Sequence, residues 1–182
     1  MTRPSLSRRL LAELLGTAGL VMVVVGSGIA ASRLSPDDVG LQLLENAVAT
    51  GLGLFVLILV LGPVSGAHLN PVVSLADAVL GRQSGGLPLR DVPSYAAAQV
   101  LGAVAGAVLA NLMYDLPAVS AATTERSGGH LWLSEVVATT GLLLVVFALA
   151  RSGLARRSPA LIAGAVGSYI AGAYFVTSST SF

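Results

Sequence analysis

Charged residues divide the chain into five long segments of mostly apolar residues. These segments cover about residues 10–32, 46–64, 92–114, 131–150 and 159–178. A helix needs roughly 20 mostly apolar residues to cross a bilayer, and each segment is about that long. The pattern therefore predicts an all-α membrane protein with five transmembrane helices.

The second apolar segment belongs to a longer run that also contains helix-breaking residues. No charged residue occurs from Asn46 to Ala76, a run too long for one span and too short for two. Four residues in its second half disfavour a continuous helix: Gly62, Pro63, Gly66 and Pro71. Irregular backbone at membrane depth is tolerated where it lines a cavity or is packed in protein. The run therefore predicts a full span followed by a loop along a polar path.

A half-length helix is predicted after this loop. Asn70 is a favourable N-cap and Pro71 suits the first helical position. The helix should begin there, run to about Leu80 and end at Gly81. We expect its positive N-terminal end to point into the membrane interior.

Two stretches of the chain match each other at a shift of 122 residues. "AELLGTAGLVMVVVG" from Ala12 aligns with "SEVVATTGLLLVVFA" from Ser134, which pairs a Glu, a Thr and a Gly in register. Three spans separate the two starts, so the second unit enters the membrane from the opposite side, as in inverted-repeat channels and transporters. This predicts a first repeat over residues 1–115 and a second over 116–182. The match also favours a span over a cleaved signal peptide for the first segment.

Arginines indicate the orientation in the membrane, since cytoplasmic loops carry an excess of positive charge. Eight arginines fall on one side of the five predicted spans: Arg3, Arg8, Arg9, Arg82, Arg90, Arg151, Arg156 and Arg157. Two fall on the other side, Arg33 and Arg126. The N-terminus is therefore predicted to be cytoplasmic.

Composition agrees with a membrane protein and excludes several classes of function. The chain is 54% hydrophobic and 10% charged, whereas soluble domains are about 25% charged. Its net charge of +1 offers no broad basic surface for nucleic acid. The absence of Cys excludes disulfides, thiolate nucleophiles and Cys-based metal sites. We therefore expect the lipid bilayer as partner, and no nucleic acid, metal or cofactor.

Three motifs of the chain are similar to those of the aquaporin, or major intrinsic protein, family. "SGAHLNPVV" resembles the first signature loop, "AELLGT" the first-span motif, and "YAAAQVLGAVAGA" the third-span motif. Val72 stands where the family usually has Ala. The resemblance implies an aquaporin-like inverted repeat with five visible spans and one re-entrant half-helix. It also implies a passive cell-membrane channel for small neutral solutes, not an enzyme, assembled as a homo-oligomer, by resemblance a tetramer.

The resemblance also assigns roles to the residues of the first signature loop. The carbonyls of Gly66, Ala67 and His68 would form a ladder of acceptors, and the Asn70 amide would donate at the pore centre beside Pro71. The alternative for Asn70 is that it only caps the half-helix. The His68 side chain has no second ligand within helical reach, so it is expected to brace the loop and not to bind a metal.

Three polar side chains within predicted spans require an explanation. Acids within spans are rare and indicate a functional hypothesis by default, so a proton relay through Glu13 and Glu135 is one interpretation. Their matched positions favour a bracing role, in which each carboxyl group accepts hydrogen bonds from a broken loop. For Gln99, a structural hydrogen bond between spans is favoured over contact with the solute.

The resemblance places two residues in the narrowest ring of the pore. They are Thr50, twenty positions before Asn70, and Gly172, twelve positions before a second signature Asn expected at residue 184. Water-specific members usually carry large rings there, so Thr and Gly predict a wider opening that passes glycerol-like polyols or metalloid hydroxides as well as water. The alternative is that Gly172 is a helix-packing residue.

The C-terminal letters "VTSSTSF" have the small polar character expected at the start of a second pore loop. A second Asn-Pro motif, half-helix and sixth span would follow in the family, so the chain is expected to be a fragment ending about two residues before that motif. Two alternatives to a channel are a non-conducting fragment or assembly subunit and, with less support, a proton-coupled transporter. A hydrolase is disfavoured, because no Ser-His or acid pair has a credible spacing.

Overall fold

The computed structural model describes residues 3–121, 127–153 and 158–181 and contains six α-helices within these ranges. They are α1 Leu6–Leu34, α2 Val39–Ser65, α3 Pro71–Leu80, α4 Val92–Met113, α5 Gly129–Arg151 and α6 Pro159–Ser181. Five of them are long and apolar enough to cross a membrane, and α3 is the shorter apolar helix. The predicted all-α architecture, with five spans and one half-helix, is therefore confirmed. Arg126, Arg156 and Arg157, which entered the orientation argument, lie outside the described residues.

Capping residues determine where α2 and α3 begin and end. Asp38 caps α2 by accepting a hydrogen bond from the Leu41 amide at 2.9 Å. Gly66 ends α2 with a left-handed φ of 97°, a conformation that glycine adopts without steric cost. Asn70 and Gly81 flank α3, as the sequence predicted.

Close backbone contacts hold α1 against α4 in the largest helix interface of the structure. A Cβ added at Gly102 would collide with the backbone of Leu14, and one added at Gly106 would collide with the backbone of Ala18. Small residues at such positions allow helices to approach closely in membranes. α1 also packs on α2, α2 on α6, α6 on α5, and α3 on α4.

The predicted loop at the C-terminal letters is wrong as far as the described residues extend. α6 continues through Ser181 instead of ending in the "VTSSTSF" stretch. Residues 173–181 contain no Gly or Pro, and small hydroxyl side chains can be accommodated in a helix by bonding to its own carbonyls. The Thr177 hydroxyl does so, donating to the Ala173 carbonyl at 2.9 Å. The division into repeats at residue 115 stays a prediction.

Candidate pore

A cavity of about 1000 Å³ lies between the loop that precedes α3 and the faces of four long helices. We call residues 66–70 the pore loop. Apolar side chains of α1, α2, α5 and α6 form one side of the cavity; they include Leu20, Leu54, Leu142 and Val166. The pore loop contributes polar groups to the lining, while its Ala67 and Leu69 side chains pack against Leu54 and Val166. The cavity thus offers a solute both hydrogen-bonding groups and apolar contacts.

In residues 66–68 of the pore loop, the backbone donors are bonded and the backbone acceptors are not. The amides of residues 66–69 all donate: Gly66 to the Gly62 carbonyl, Ala67 to Ser65 Oγ, and His68 and Leu69 to Glu13. The carbonyls of Gly66, Ala67 and His68 accept no recorded hydrogen bond within the described residues, and all three residues line the cavity. These three carbonyls are therefore free to accept hydrogen bonds from a solute in the cavity.

Left-handed backbone conformations set this arrangement of the loop. Ala67 and Leu69 have φ values of 47° and 51°, which are unusual for residues with a Cβ. Such conformations cost about 1–3 kcal/mol each and persist only where the surroundings fix them. The hydrogen bonds to the loop amides supply that fixation.

Asn70 has one amide atom occupied and the other unpaired. Its Oδ1 accepts a hydrogen bond from the Val72 amide at 2.7 Å, which caps α3. Its Nδ2 has no recorded acceptor among the described residues, and Asn70 lines the cavity. The geometry therefore lets this side chain cap the helix and offer a donor to the cavity together. Pro71 occupies the first helical position, and the side chain of Val72 is exposed.

Glu13 connects the pore loop with three helices from a fully buried position. Its Oε1 accepts from the His68 amide at 3.0 Å, and its Oε2 accepts from the Leu69 amide at 2.8 Å. Gln99 Nε2 donates to Glu13 Oε2 at 2.8 Å and to Ser74 Oγ at 2.9 Å. One carboxyl group on α1 thus holds the loop, while Gln99 on α4 connects it to α3. Glu13 therefore has the contacts expected of a residue that holds the loop in place, and Gln99 makes hydrogen bonds between helices.

The His68 side chain faces α3 and α4. Its Nδ1 lies 3.1 Å from Ser74 Oγ, and its Nε2 lies 3.5 Å from Asp77 Oδ2. Its ring packs at 5.5 Å from the ring of Tyr95. The side chain is therefore held by the half-helix, while its backbone carbonyl belongs to the cavity.

A buried ion pair supports the loop from the other side, and sequence analysis missed it. Arg9 Nη2 lies 3.0 Å from Asp91 Oδ2, and both side chains are buried. Arg9 Nη1 also lies 3.5 Å from the hydroxyl of Tyr95, which donates to the Ser65 carbonyl at 2.9 Å. Ser65 is the last residue of α2, so this cluster fixes the start of the pore loop. Both charges lie near span ends, where a solvated charge is the usual expectation.

Glu135 does not repeat the contacts of Glu13. It is exposed and lines the cavity, and no hydrogen bond to it is recorded within the part of the chain that the structure describes. Its predicted bracing role therefore stays a prediction.

Thr50 lines the cavity as predicted for a ring residue, but Gly172 does not. The Thr50 hydroxyl lies 3.0 Å from the Tyr174 hydroxyl and donates to Asn46 Oδ1 at 3.4 Å. Gly172 is exposed, and a Cβ added there would meet no atom within 4 Å. At about 100° per residue, it lies roughly 160° around α6 from Tyr174. Gly172 thus lies away from the cavity in this structure, and its place in the ring stays a prediction.

Comparison with known proteins gives consistent matches over nearly the whole chain. The profile of the family described as major intrinsic protein matches residues 1–181. The chain is 49% identical over 177 residues to the aquaglyceroporin AqpS of Rhizobium meliloti (strain 1021), a match that covers 97% of the chain and 72% of that protein. It is 38% identical over 143 residues to the probable aquaporin NIP7-1 of Arabidopsis thaliana, covering 78% of the chain and 50% of that protein.

Two further matches concern a bacterial relative and a solved structure. The chain is 32% identical over 168 residues to a probable glycerol uptake facilitator protein of Thermotoga maritima, covering 85% of the chain and 69% of that protein. The X-ray structure of the aquaglyceroporin from Plasmodium falciparum matches with a TM-score of 0.78 and 25% identity, covering 97% of the chain and 74% of that structure.

Proposed function

The chain belongs to the major intrinsic protein family, and we propose that it forms a passive membrane channel for water and small uncharged solutes. The observation that carries the proposal is the pore loop. The amides of residues 66–69 are bonded within the protein, while the carbonyls of Gly66, Ala67 and His68 are left to the cavity. A neutral solute can exchange its water partners for such a row of acceptors and proceed from one to the next.

The half-helix supports the rejection of cations by this pathway. α3 begins at the pore loop, so the positive end of its dipole lies beside the cavity. The Asn70 amide adds a donor at the same place. A hydroxyl solute can bond to both the donor and the carbonyls, whereas a cation meets the positive helix end.

The expected solutes are water and small polyhydroxy compounds, such as glycerol, or metalloid hydroxides. Thr50 supplies a small side chain at the predicted ring position, where a large ring would narrow the passage. The apolar side chains in the cavity lining suit the CH groups of a polyol. The names of AqpS and of the Thermotoga maritima relative point to glycerol-conducting channels, which supports the same class.

Solute flux into vesicles that contain the full-length protein tests this proposal. We expect water and glycerol to enter faster than into protein-free vesicles when volume is followed by stopped-flow light scattering. The flux should not depend on a proton gradient. Fast water flux with glycerol excluded would contradict the wide opening, and the absence of both fluxes would contradict the channel.

The proposed orientation places the N-terminus and the α5–α6 connection on the cytoplasmic side. Single Cys residues at Ser5 and at Ser158 should be labelled by a membrane-impermeant thiol reagent only after cells are permeabilised, because arginines cluster at both places. A Cys at Asp37, in the α1–α2 connection, is the control and should be labelled in intact cells. The sequence contains no Cys of its own. Labelling of Ser5 and Ser158 from opposite sides would contradict the inverted repeat.

A further inference from the structure

The contact between α2 and α6 forms part of the cavity wall around Thr50. A Cβ added at Gly51 would lie 2.9 Å from the Gly167 carbonyl oxygen and 3.0 Å from the Ala171 Cβ. The two backbones are therefore in direct contact one residue from Thr50. Contacts of this kind are short but have no preferred direction, so they do not by themselves fix the relative positions of the helices.

The hydroxyl pair of Thr50 and Tyr174 adds a directional contact at this level. The two oxygens are 3.0 Å apart, and the side chains are 1% and 2% exposed. Buried hydroxyl groups that lose a partner pay a desolvation cost. The pair therefore resists separation of α2 from α6 beside the cavity.

The neighbouring Asn46 links this hydroxyl pair to α1. Its Oδ1 accepts from Ser27 Oγ at 2.8 Å and from Thr50 Oγ1 at 3.4 Å. Either hydroxyl of the Thr50–Tyr174 pair can donate to the other, because each group is both a donor and an acceptor. A continuous chain of hydrogen bonds thus runs from α6 through α2 to α1.

We propose that Tyr174 determines the size selectivity of the channel by holding Thr50 and α2 in place at the predicted ring. Tyr174 is a positioning residue, because its hydroxyl acts through Thr50. The inference rests on the proposed channel function and extends it to the size of the solute. With the pair intact, the opening admits three-carbon polyols and retards larger ones. Without the pair, α2 and α6 can separate, and the permeability to larger polyols should increase more than the permeability to glycerol.

Tyr174→Phe tests the proposal, because it keeps the ring and removes the hydroxyl. The measured quantity is the ratio of erythritol to glycerol permeability in vesicles that contain the full-length protein. We expect the ratio to rise about fivefold, the factor that corresponds to about 1 kcal/mol, the usual net value of one hydrogen bond. Thr50→Val, which keeps the size of the side chain and removes the hydroxyl, should raise the ratio equally, and the double variant should raise it no further.

Tyr169→Phe is the matched control on the same helix. The Tyr169 hydroxyl donates to the Ala138 carbonyl at 2.8 Å, and Tyr169 does not line the cavity. This variant also loses one interhelical hydrogen bond, so the amount of folded protein should fall, while the permeability ratio should not change.

The outcomes separate this inference from the proposed function. Absence of glycerol flux through the wild-type protein would contradict the channel itself. A conducting wild type whose ratio is unchanged in Tyr174→Phe, or is changed equally in Tyr169→Phe, would overturn only the role of Tyr174. If Tyr174→Phe does not fold, Thr50→Val decides, since an unchanged permeability ratio in that variant would overturn the role of the hydroxyl pair.

Discussion

Replacing Glu13 by alanine is expected to remove most of the folded protein from the membrane. The variant leaves the buried amides of His68 and Leu69 without acceptors and deprives Gln99 of a partner. Unsatisfied buried donors cost about 1–3 kcal/mol each, so the loss is on the order of 4 kcal/mol, a large part of a typical folding free energy. The folded amount is measured as the fraction of monodisperse protein after detergent extraction, compared with the wild type at equal expression.

Glu45→Ala is the control for the Glu13 variant. Glu45 is also a glutamate within a long apolar helix, but its recorded hydrogen bond comes from a single side chain, that of Ser35 just after α1, whose Oγ donates at 3.0 Å. We expect this variant to retain most of the folded fraction. Equal losses in the two variants would mean that Glu13 has no special role in holding the loop.

Glu13→Gln separates the brace from the proton relay that the sequence left open. Glutamine keeps one acceptor oxygen but places an NH2 donor against the second loop amide. The folded fraction should therefore lie between those of the wild type and Glu13→Ala. In the protein that does fold, the pH dependence of flux should match the wild type. A normal folded fraction with a changed pH dependence would favour the relay.

The features that sequence analysis predicted correctly depend on local patterns. The five spans follow from segment length and charge, and α3 follows from the Asn70 cap, Pro71 and Gly81, which act over a few residues. The bracing of the loop by Glu13 was expected from the matched stretches alone. The identity of its donors required the fold, since His68 is 55 positions away in sequence.

The features that were missed depend on contacts between distant segments. Arg9 and Asp91 each lie at the end of a span, where the sequence offers no sign that they meet. Their pairing becomes visible only when α1 packs on α4. The contact of Tyr174 with Thr50 was missed because the face that α6 turns toward α2 can be read only from the packed structure.

Asn70→Asp is expected to block solute flux while it preserves the fold. Aspartate is as good an N-cap as asparagine, so its oxygen can still accept from the Val72 amide and α3 should form. The variant lacks the Nδ2 donor, and the solute then faces only acceptors along the pore loop. Loss of one donor at the centre of the path should lower water and glycerol flux about tenfold, which corresponds to about 1.4 kcal/mol.

Two further variants decide between the capping and donating roles of Asn70. Asn70→Ala loses the cap as well, which should cost about 1 kcal/mol of folding free energy relative to Asn70→Asp. Its folded fraction should therefore be lower. Asn111→Asp makes the same chemical change at the end of α4, where Nδ2 donates to the Ala118 carbonyl at 3.3 Å, and should conduct normally. If Asn70→Asp conducts as fast as Asn111→Asp, Asn70 is only a cap. If flux falls in Asn70→Asp at an unchanged folded fraction, the unpaired amide is the group that the solute requires, because the cap has been kept.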